Sequence, residues 1–343
     1  MLKTVVLLNL ALSLLAFKPT FAQSQPAPAA VAQAVVDAAN RLLQTLDESQ
    51  RQTLLFPFDD QEQRRRWSNL PAGIYPRGGL RLGDLNEGQQ EALWGLLKAT
   101  LSQRGYQQIL DNVLGDEELN SPLSWGRATF GKDEFYLSIL GTPSITTPWI
   151  WQFGGHHLGL NATVVGDQIT LAPSLTGGEP ISYQLAGRHV EQLAGEREKA
   201  HALLSSLSPE QLKKAVLSPR PIDWAFGPQT RDITPKPQGI GAVALNADQQ
   251  VLLLALIEER VGILNPVHTG IAMTKIRAQL SSTYFAWFGP VKKGQAASFR
   301  IQGPAVIIEY APQRVRGGKT DHLHAIYRDP SNEYGAGFIQ DPF

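Results

Sequence analysis

Leu85-Asn86-Glu87-Gly88-Gln89-Gln90 and Leu245-Asn246-Ala247-Asp248-Gln249-Gln250 are two versions of one phrase, and each opens an apolar-periodic stretch. After the first come Leu93, Trp94, Leu96, Leu97 and Leu101. After the second come Leu252, Leu253, Leu256 and Ile257. That spacing is the mark of an amphipathic helix. The asparagine reads as its N-cap, because its side-chain oxygen can accept from a first-turn N–H that lacks a helical partner. Leu207-Ser208-Pro209-Glu210-Gln211 is a weaker third copy, with Ser208 as cap and Pro209 at the first helical position.

The likeness of the first two copies continues downstream. Phe135-Tyr136-Leu137-Ser138-Ile139-Leu140-Gly141 matches Thr283-Tyr284-Phe285-Ala286-Trp287-Phe288-Gly289. Both runs have strand composition and end at a glycine followed closely by proline. With the spacing kept, residues 149–153 fall opposite 297–301, Gly155 opposite Gly303, and Asn161 opposite Glu309. Helices, a strand, a turn and a β-hairpin are thus spelled twice, over about 85–165 and 245–312. The expectation is an α+β fold. A single domain spanning residues 41–343 would be built from two duplicated helix-then-strand halves, packed pseudo-symmetrically with the helices outside the strands.

The remaining bulk features set the compartment and exclude several functions. The N-terminus, MLKTVVLLNLALSLLAFKPTFAQSQ, has a short positive start at Lys3, an apolar core from Val5 to Phe17, and small residues at Thr20 and Ala22. Residues 1–22 read as a secretory signal peptide, since the apolar core is too short to span a bilayer. Residues 23–40 read as a flexible leader and the start of a first helix, with the Ala, Pro and Gln of 23–33 giving the flexible part. The expected location is periplasmic or secreted. There is no cysteine. Lipid attachment, disulfides, thiolate zinc sites and iron–sulfur clusters are therefore excluded, and any metal must be held by nitrogen or oxygen. Lys plus Arg and Asp plus Glu number 31 each, which argues against a general nucleic-acid binder. No later segment is long and apolar enough to cross a membrane. The oligomeric state is not encoded in any pattern of this kind.

Two segments concentrate the histidines. In Trp149-Ile150-Trp151-Gln152-Phe153-Gly154-Gly155-His156-His157-Leu158, aromatic residues alternate along a strand and two glycines precede the histidine pair. If the strand continued, His156 and His157 would point to opposite faces, and only one would join a given site; a bulge at the glycines would change which. In Thr320-Asp321-His322-Leu323-His324-Ala325-Ile326-Tyr327-Arg328-Asp329-Pro330, strand alternation places His322 and His324 on one face, a spacing that suits chelation of one ion. Asp321 or Asp329 would fix an imidazole tautomer, and Arg328 would pair with a carboxylate of the protein or of a substrate. Glu179, in a glycine-loosened loop, reads equally as a ligand or general base and as a solvated acid. Glu309 is either a surface residue of an alternating strand or an interior acid with a shifted pKa. Four of the seven histidines lie in these two segments. That concentration favours a shared centre over the plainer reading of hydrogen-bonded core histidines. The plain reading is preferred elsewhere: Arg64-Arg65-Arg66 as a solvated helix end, and Trp67, Trp94, Trp125, Trp224 and Trp287 as core.

These landmarks together resemble a bacterial domain-of-unknown-function family, numbered 3500. They are Arg77-Gly78-Gly79-Leu80, Gly155-His156-His157-Leu158, Gly178-Glu179-Pro180, His322-Leu323-His324 with Arg328-Asp329-Pro330, and Tyr334-Gly335. The resemblance covers about residues 56–338 and implies one continuous exported domain; it carries no activity. The residues themselves lead to a metal-dependent enzyme, expected to be a hydrolase. His322, His324 and one of His156 or His157 would hold a divalent ion, zinc ahead of iron or copper. Glu179 would shuttle a proton, and Arg328 would orient a small anionic substrate. The alternative is a non-catalytic periplasmic protein that binds a metal or small ligand through the same histidines.

Overall fold

The structure is a computed structural model, and it describes residues 26–119, 127–228 and 236–339. The proposed signal peptide and Trp125 lie outside the described residues. The chain order is α1 (Pro28–Thr45), α2 (Glu48–Leu54), β1 (Leu55–Phe56), α3 (Gln61–Arg65), β2 (Leu80–Arg81), α4 (Glu87–Thr100), α5 (Gln103–Gly115), β3 (Tyr136–Leu140), β4 (Trp149–Gly155), β5 (Leu158–Val165), β6 (Gln168–Thr170) and β7 (Ser174–Gly178). It continues with β8 (Ser182–Leu185), β9 (Arg188–Glu191), α6 (Ala194–Ser206), α7 (Pro209–Ala215), β10 (Val216–Ser218), β11 (Ile240–Gly241), α8 (Ala247–Val261), α9 (Pro266–Ala278), β12 (Tyr284–Phe288), β13 (Ser298–Gly303), β14 (Val306–Gln313) and β15 (His322–Arg328).

Both expected helices start where their caps are. Asn86 accepts from the Gln89 N–H while the Gln89 side chain accepts from the Asn86 N–H, and Asn246 and Gln249 do the same. This reciprocal box satisfies two donors that a helix start leaves open. The same glutamines tie each helix to the pair before it. Gln89 Nε2 donates to Thr45 O (3.0 Å) and Gln50 Oε1 (2.8 Å), and Gln249 Nε2 to Ser206 O (2.8 Å) and Gln211 Oε1 (2.9 Å). Ser208 caps α7 in the same manner, and so does Asp47 at α2, a copy of the phrase that reading the sequence passes over. The leader is shorter than expected. α1 starts at Pro28, and its residues Ala32, Val35, Val36, Ala39 and Leu42 are buried at helical spacing; alanine, read as linker, is also the strongest helix former.

One mixed sheet runs in the order β1-β3-β4-β5-β7-β15-β14-β13-β12-β10. Neighbours pair antiparallel except at the two edges, where β1 lies parallel to β3 and β10 parallel to β12. Alternation sends Leu137, Trp151, Phe153, Leu160 and Val164 into one core with α1, α4 and α5, and Phe285, Phe299, Ile308, Leu323 and Ala325 into a second with α6, α8 and α9. All these side chains leave the same face of the sheet. The opposite face is covered by the connections at 57–79 and 219–228 and by the 3₁₀ turn Glu333–Phe338, and it is far more polar. There Gln152 Nε2 donates to Asn161 Oδ1 (2.7 Å) across β4 and β5, and Arg300 donates to Glu309 (Nε to Oε1, 2.8 Å) across β13 and β14. Burial pushes Glu309 up, against the pull of Arg300 and of hydrogen bonds from the Phe226 and Ala225 N–H groups. Glu309 is thus an interior acid. Arg64 corrects its expectation as well: it is buried over the Phe58 ring and donates to the Phe58 carbonyl, whereas Arg66 pairs with Glu62 near the surface.

Candidate metal centre

The two histidine segments meet on the polar face. Gly155 pairs with Leu158, so His156 and His157 are the two turn residues of the β4–β5 hairpin, and His157 is left-handed at φ 58°. The turn overrides strand alternation. Both rings end on the same side, with centroids 3.6 Å apart. His322 and His324 alternate along β15 as expected, and His324 lies opposite Gly177 of β7. His157 Nε2 lies 2.8 Å from His322 Nε2, and His322 Nε2 lies 3.1 Å from His324 Nε2. Mid-chain and C-terminal imidazoles therefore form one buried cluster.

Three Nε2 atoms in this arrangement cannot satisfy one another. A neutral imidazole nitrogen has one in-plane position, filled by a hydrogen or by a lone pair. His322 Nε2 can thus complete one of its two contacts as a hydrogen bond, and the other is left without a proton between the nitrogens. A cation at their common focus resolves all three. Three nitrogens bound tetrahedrally at ~2.05 Å stand about 3.3 Å apart, a few tenths of an ångström beyond the spacing seen.

Burial holds the cluster neutral. His157 and His324 are held well below the usual imidazole range, first by desolvation and then by neighbouring histidines. His322 is pushed down to about 4 by desolvation, with the Arg314 charge second. Neutral imidazole is the form that ligates a metal. Trp224 stacks on His324, with centroids 4.5 Å apart and planes 14° from parallel. This tryptophan is a wall of the cluster, where core packing alone was expected.

Two charged groups stand at the outer edge. Glu179 pairs with Arg314, and its Oε2 is 3.4 Å from His322 Nδ1. Arg314 donates to the same nitrogen, at 3.0 Å from Nη2 and 3.2 Å from Nε. The two make opposite demands on the ring. A donor at Nδ1 leaves the hydrogen on Nε2, whereas Glu179 accepting from Nδ1–H frees the Nε2 lone pair for a metal. Burial raises the Glu179 pKa, opposed by the Arg314 charge. Arg314 is 46% exposed, Glu179 15% and His322 8% along the side chain, so solvent reaches the cluster from the Arg314 side.

His156 faces Asp116, with Nδ1 2.6 Å from Oδ1, and Asp116 Oδ2 accepts from the Gly131 N–H (2.8 Å). Ligand atoms of His156, His157 and Glu179 also lie within 4.8 Å of one another, as do those of His157, His322 and His324. Arg77 fixes the hairpin end: its Nη2 donates to the carbonyls of Ser68 (2.9 Å), Leu70 (2.5 Å) and Gly155 (2.8 Å). Burial pushes that guanidinium down to about 10.

Other candidates are not brought to the cluster. Arg328 pairs with Glu333 and donates to the Phe226 carbonyl, about 13 Å along the strand from His324. Asp329 pairs with Lys275 and Ser331, and Asp321 is exposed. Asp116 and Arg314 hold the positions that those residues were expected to hold. Neither carries a sequence signal: Asp116 opens the acidic run 116–118, which reads as a solvated face, and Arg314 is the first residue after β14, in a stretch with three other charged residues at 316, 319 and 321.

Fold and site define a two-layer α+β protein with a buried tri-histidine cluster under its polar face. The chain belongs to the family described as Protein of unknown function (DUF3500), whose model matches residues 28–336. No curated protein and no solved structure matches it.

Proposed function

We propose that this chain is an exported, metal-dependent hydrolase whose divalent ion is held by His157, His322 and His324. The convergence of three neutral Nε2 atoms that cannot satisfy one another carries the reading. Zinc fits an all-imidazole set with a position left open, and iron or copper takes the same donors. A bound ion supplies an activated water. Glu179, raised by burial and beside His322, moves the proton. Arg314, at the exposed edge, meets an anionic group of the substrate, the role first expected of Arg328. The near-complete burial of His157 and His324, and the Trp224 ring over the latter, favour a second reading: a closed, non-catalytic metal-binding protein.

Metal analysis of the purified mature protein tests both. One ion per chain is expected, lost in His157→Ala, His322→Ala or His324→Ala. Glu179→Gln separates the readings. A hydrolase variant keeps its ion and loses ester or amide turnover by about 10²–10⁴-fold, whereas the closed site changes little. Absence of a stoichiometric ion, with all three alanine variants indistinguishable from the parent, rejects the proposal.

We also infer that the domain arose by duplication. The paired capping boxes, the matching glutamine bonds and the parallel edge strands β1 and β10 support it.

A further inference from the structure

The helix-facing side of the sheet holds a cavity of about 600 Å³ between α6 and the strands β12 to β15. Its floor is a row of three aromatics in register: Trp287 opposite Phe299, and Phe299 opposite Tyr310. The Phe299 and Tyr310 rings lie 6° from parallel with centroids 5.1 Å apart. The same ladder positions in the first run of elements are Ile139, Trp151 and Ala162, which are fully buried in the core with α1. One run closes this space and the other keeps it open.

The open space is lined for a specific chemistry. Tyr310 is 5% exposed and His201 6%. Both line the cavity, and neither the Tyr310 hydroxyl nor a His201 ring nitrogen has a hydrogen-bond partner among the described residues. Neither residue contributes a fully buried unpartnered polar atom; their polar atoms open onto the cavity, where a ligand can reach them. Lys293 and Lys319 stand exposed on the rim and make no ion pair among the described residues. Arg197 is occupied by Glu191.

We propose that this cavity binds a flat aromatic carboxylate, its ring system against Trp287, Phe299 and Tyr310 and its carboxylate towards Lys293 and Lys319. Aromatic walls select a planar apolar body, the volume suits a small organic molecule, and two unpaired ammonium groups select the anion. The Tyr310 hydroxyl and His201 bond to polar atoms on the ligand. The site is separate from the histidine cluster, which lies on the opposite face of the sheet, and it does not depend on a metal.

Calorimetric titration of the intact protein with 2-naphthoate, and with uncharged 2-naphthamide, tests this. Saturable one-to-one binding of the acid is expected, at least tenfold tighter than the amide. The double variant Lys293→Gln/Lys319→Gln is exposed at both positions and should fold. It should weaken the acid about tenfold and leave the amide unchanged. 6-Hydroxy-2-naphthoate, which adds a polar atom on the ring, should bind several-fold tighter than 2-naphthoate and lose that advantage in Tyr310→Phe, and His324→Ala should leave both acids untouched. The proposal is overturned by the absence of saturable binding, by equal affinity for acid and amide, or by naphthoate binding that ignores the lysine changes.

Discussion

Replacing Gly177 by alanine tests the cluster without touching a ligand. A Cβ at Gly177 would stand 2.6 Å from the Leu323 carbonyl oxygen, 2.9 Å from His324 Cδ2 and 3.3 Å from His157 Cβ. Restoring ordinary contact requires β7 and β15 to part, or the rings to retreat, by roughly half an ångström or more. His324 is fully buried and lies under Trp224, so it cannot swing out to solvent. Overpacking of this kind costs about 1–3 kcal/mol, and for a domain of this size the apo protein should melt roughly 2–6 °C lower. The same displacement passes to two of the three Nε2 atoms. Productive ligand geometry tolerates about 0.5 Å, so zinc affinity should fall about 10–100-fold, as it does when groups supporting a metal's ligands are disturbed. Competition against a chromophoric chelator measures the affinity, and calorimetry of the metal-free protein measures the stability. A Gly177→Ala protein that melts at the parental temperature and binds zinc as tightly would refute the packing argument.

Acidification tests the neutral imidazoles. His322 titrates at about 4 in the fold and near 6.5 when unfolded, so the unfolded chain takes up protons first; stability of the metal-free protein is complete above pH 6.5 and drains away as pH falls towards 4. His322→Gln should show a shallower loss over that window in pH-dependent urea melts. Arg260, buried beside Glu196 at 3.5 Å, offers a stability test remote from the cluster: Arg260→Met strands a buried carboxylate and should cost about 3–5 kcal/mol, while Arg260→Met/Glu196→Met should recover most of it. A double variant no more stable than the single would show that the pair is not the source. Asp116→Asn keeps the size of the group facing His156 but removes its charge; zinc affinity should drop tenfold or less, since that ring lies outside the three-nitrogen focus. A loss as large as that of His324→Ala would place His156 among the ligands.

What could be read ahead of the structure was local in origin. An Asn-x-x-Gln box is decided within one helical turn, so both principal helix starts fall where the sequence puts them. His322 and His324 share a face because strand alternation is a property of the strand alone. The misreadings involve neighbours distant in sequence. A hairpin turn, set by how β4 and β5 pair, put both His156 and His157 on one side. The carboxylate on His156 comes from the end of α5, the cation on His322 from the loop after β14, and the ring over His324 from a connection between edge strands. Such residues look like surface charge or core aromatics until the chain is folded.

The proposed duplication constrains the metal count. The β13–β14 hairpin closes as β4–β5 does, with Gly303 opposite Val306 where Gly155 is opposite Leu158. Its two turn residues are Pro304 and Ala305, in place of His156 and His157. β7, which comes after the short β6, and β15, which follows the second hairpin directly, pair with each other and join the two parts of the sheet. β7, however, reads Ser-Leu-Thr-Gly-Gly and carries no nitrogen or carboxylate ligand, whereas β15 carries both His322 and His324. Gly177 of β7 supplies room instead, since any side chain there would collide with the rings. Ligands from the first hairpin therefore meet ligands from the second closing strand at the central seam, and the symmetric counterpart is empty of donors. On the proposed reading, such a layout would hold one ion per chain. Zinc titration should saturate at one equivalent, and a second tight equivalent surviving in His324→Ala would mean that the ion is bound elsewhere.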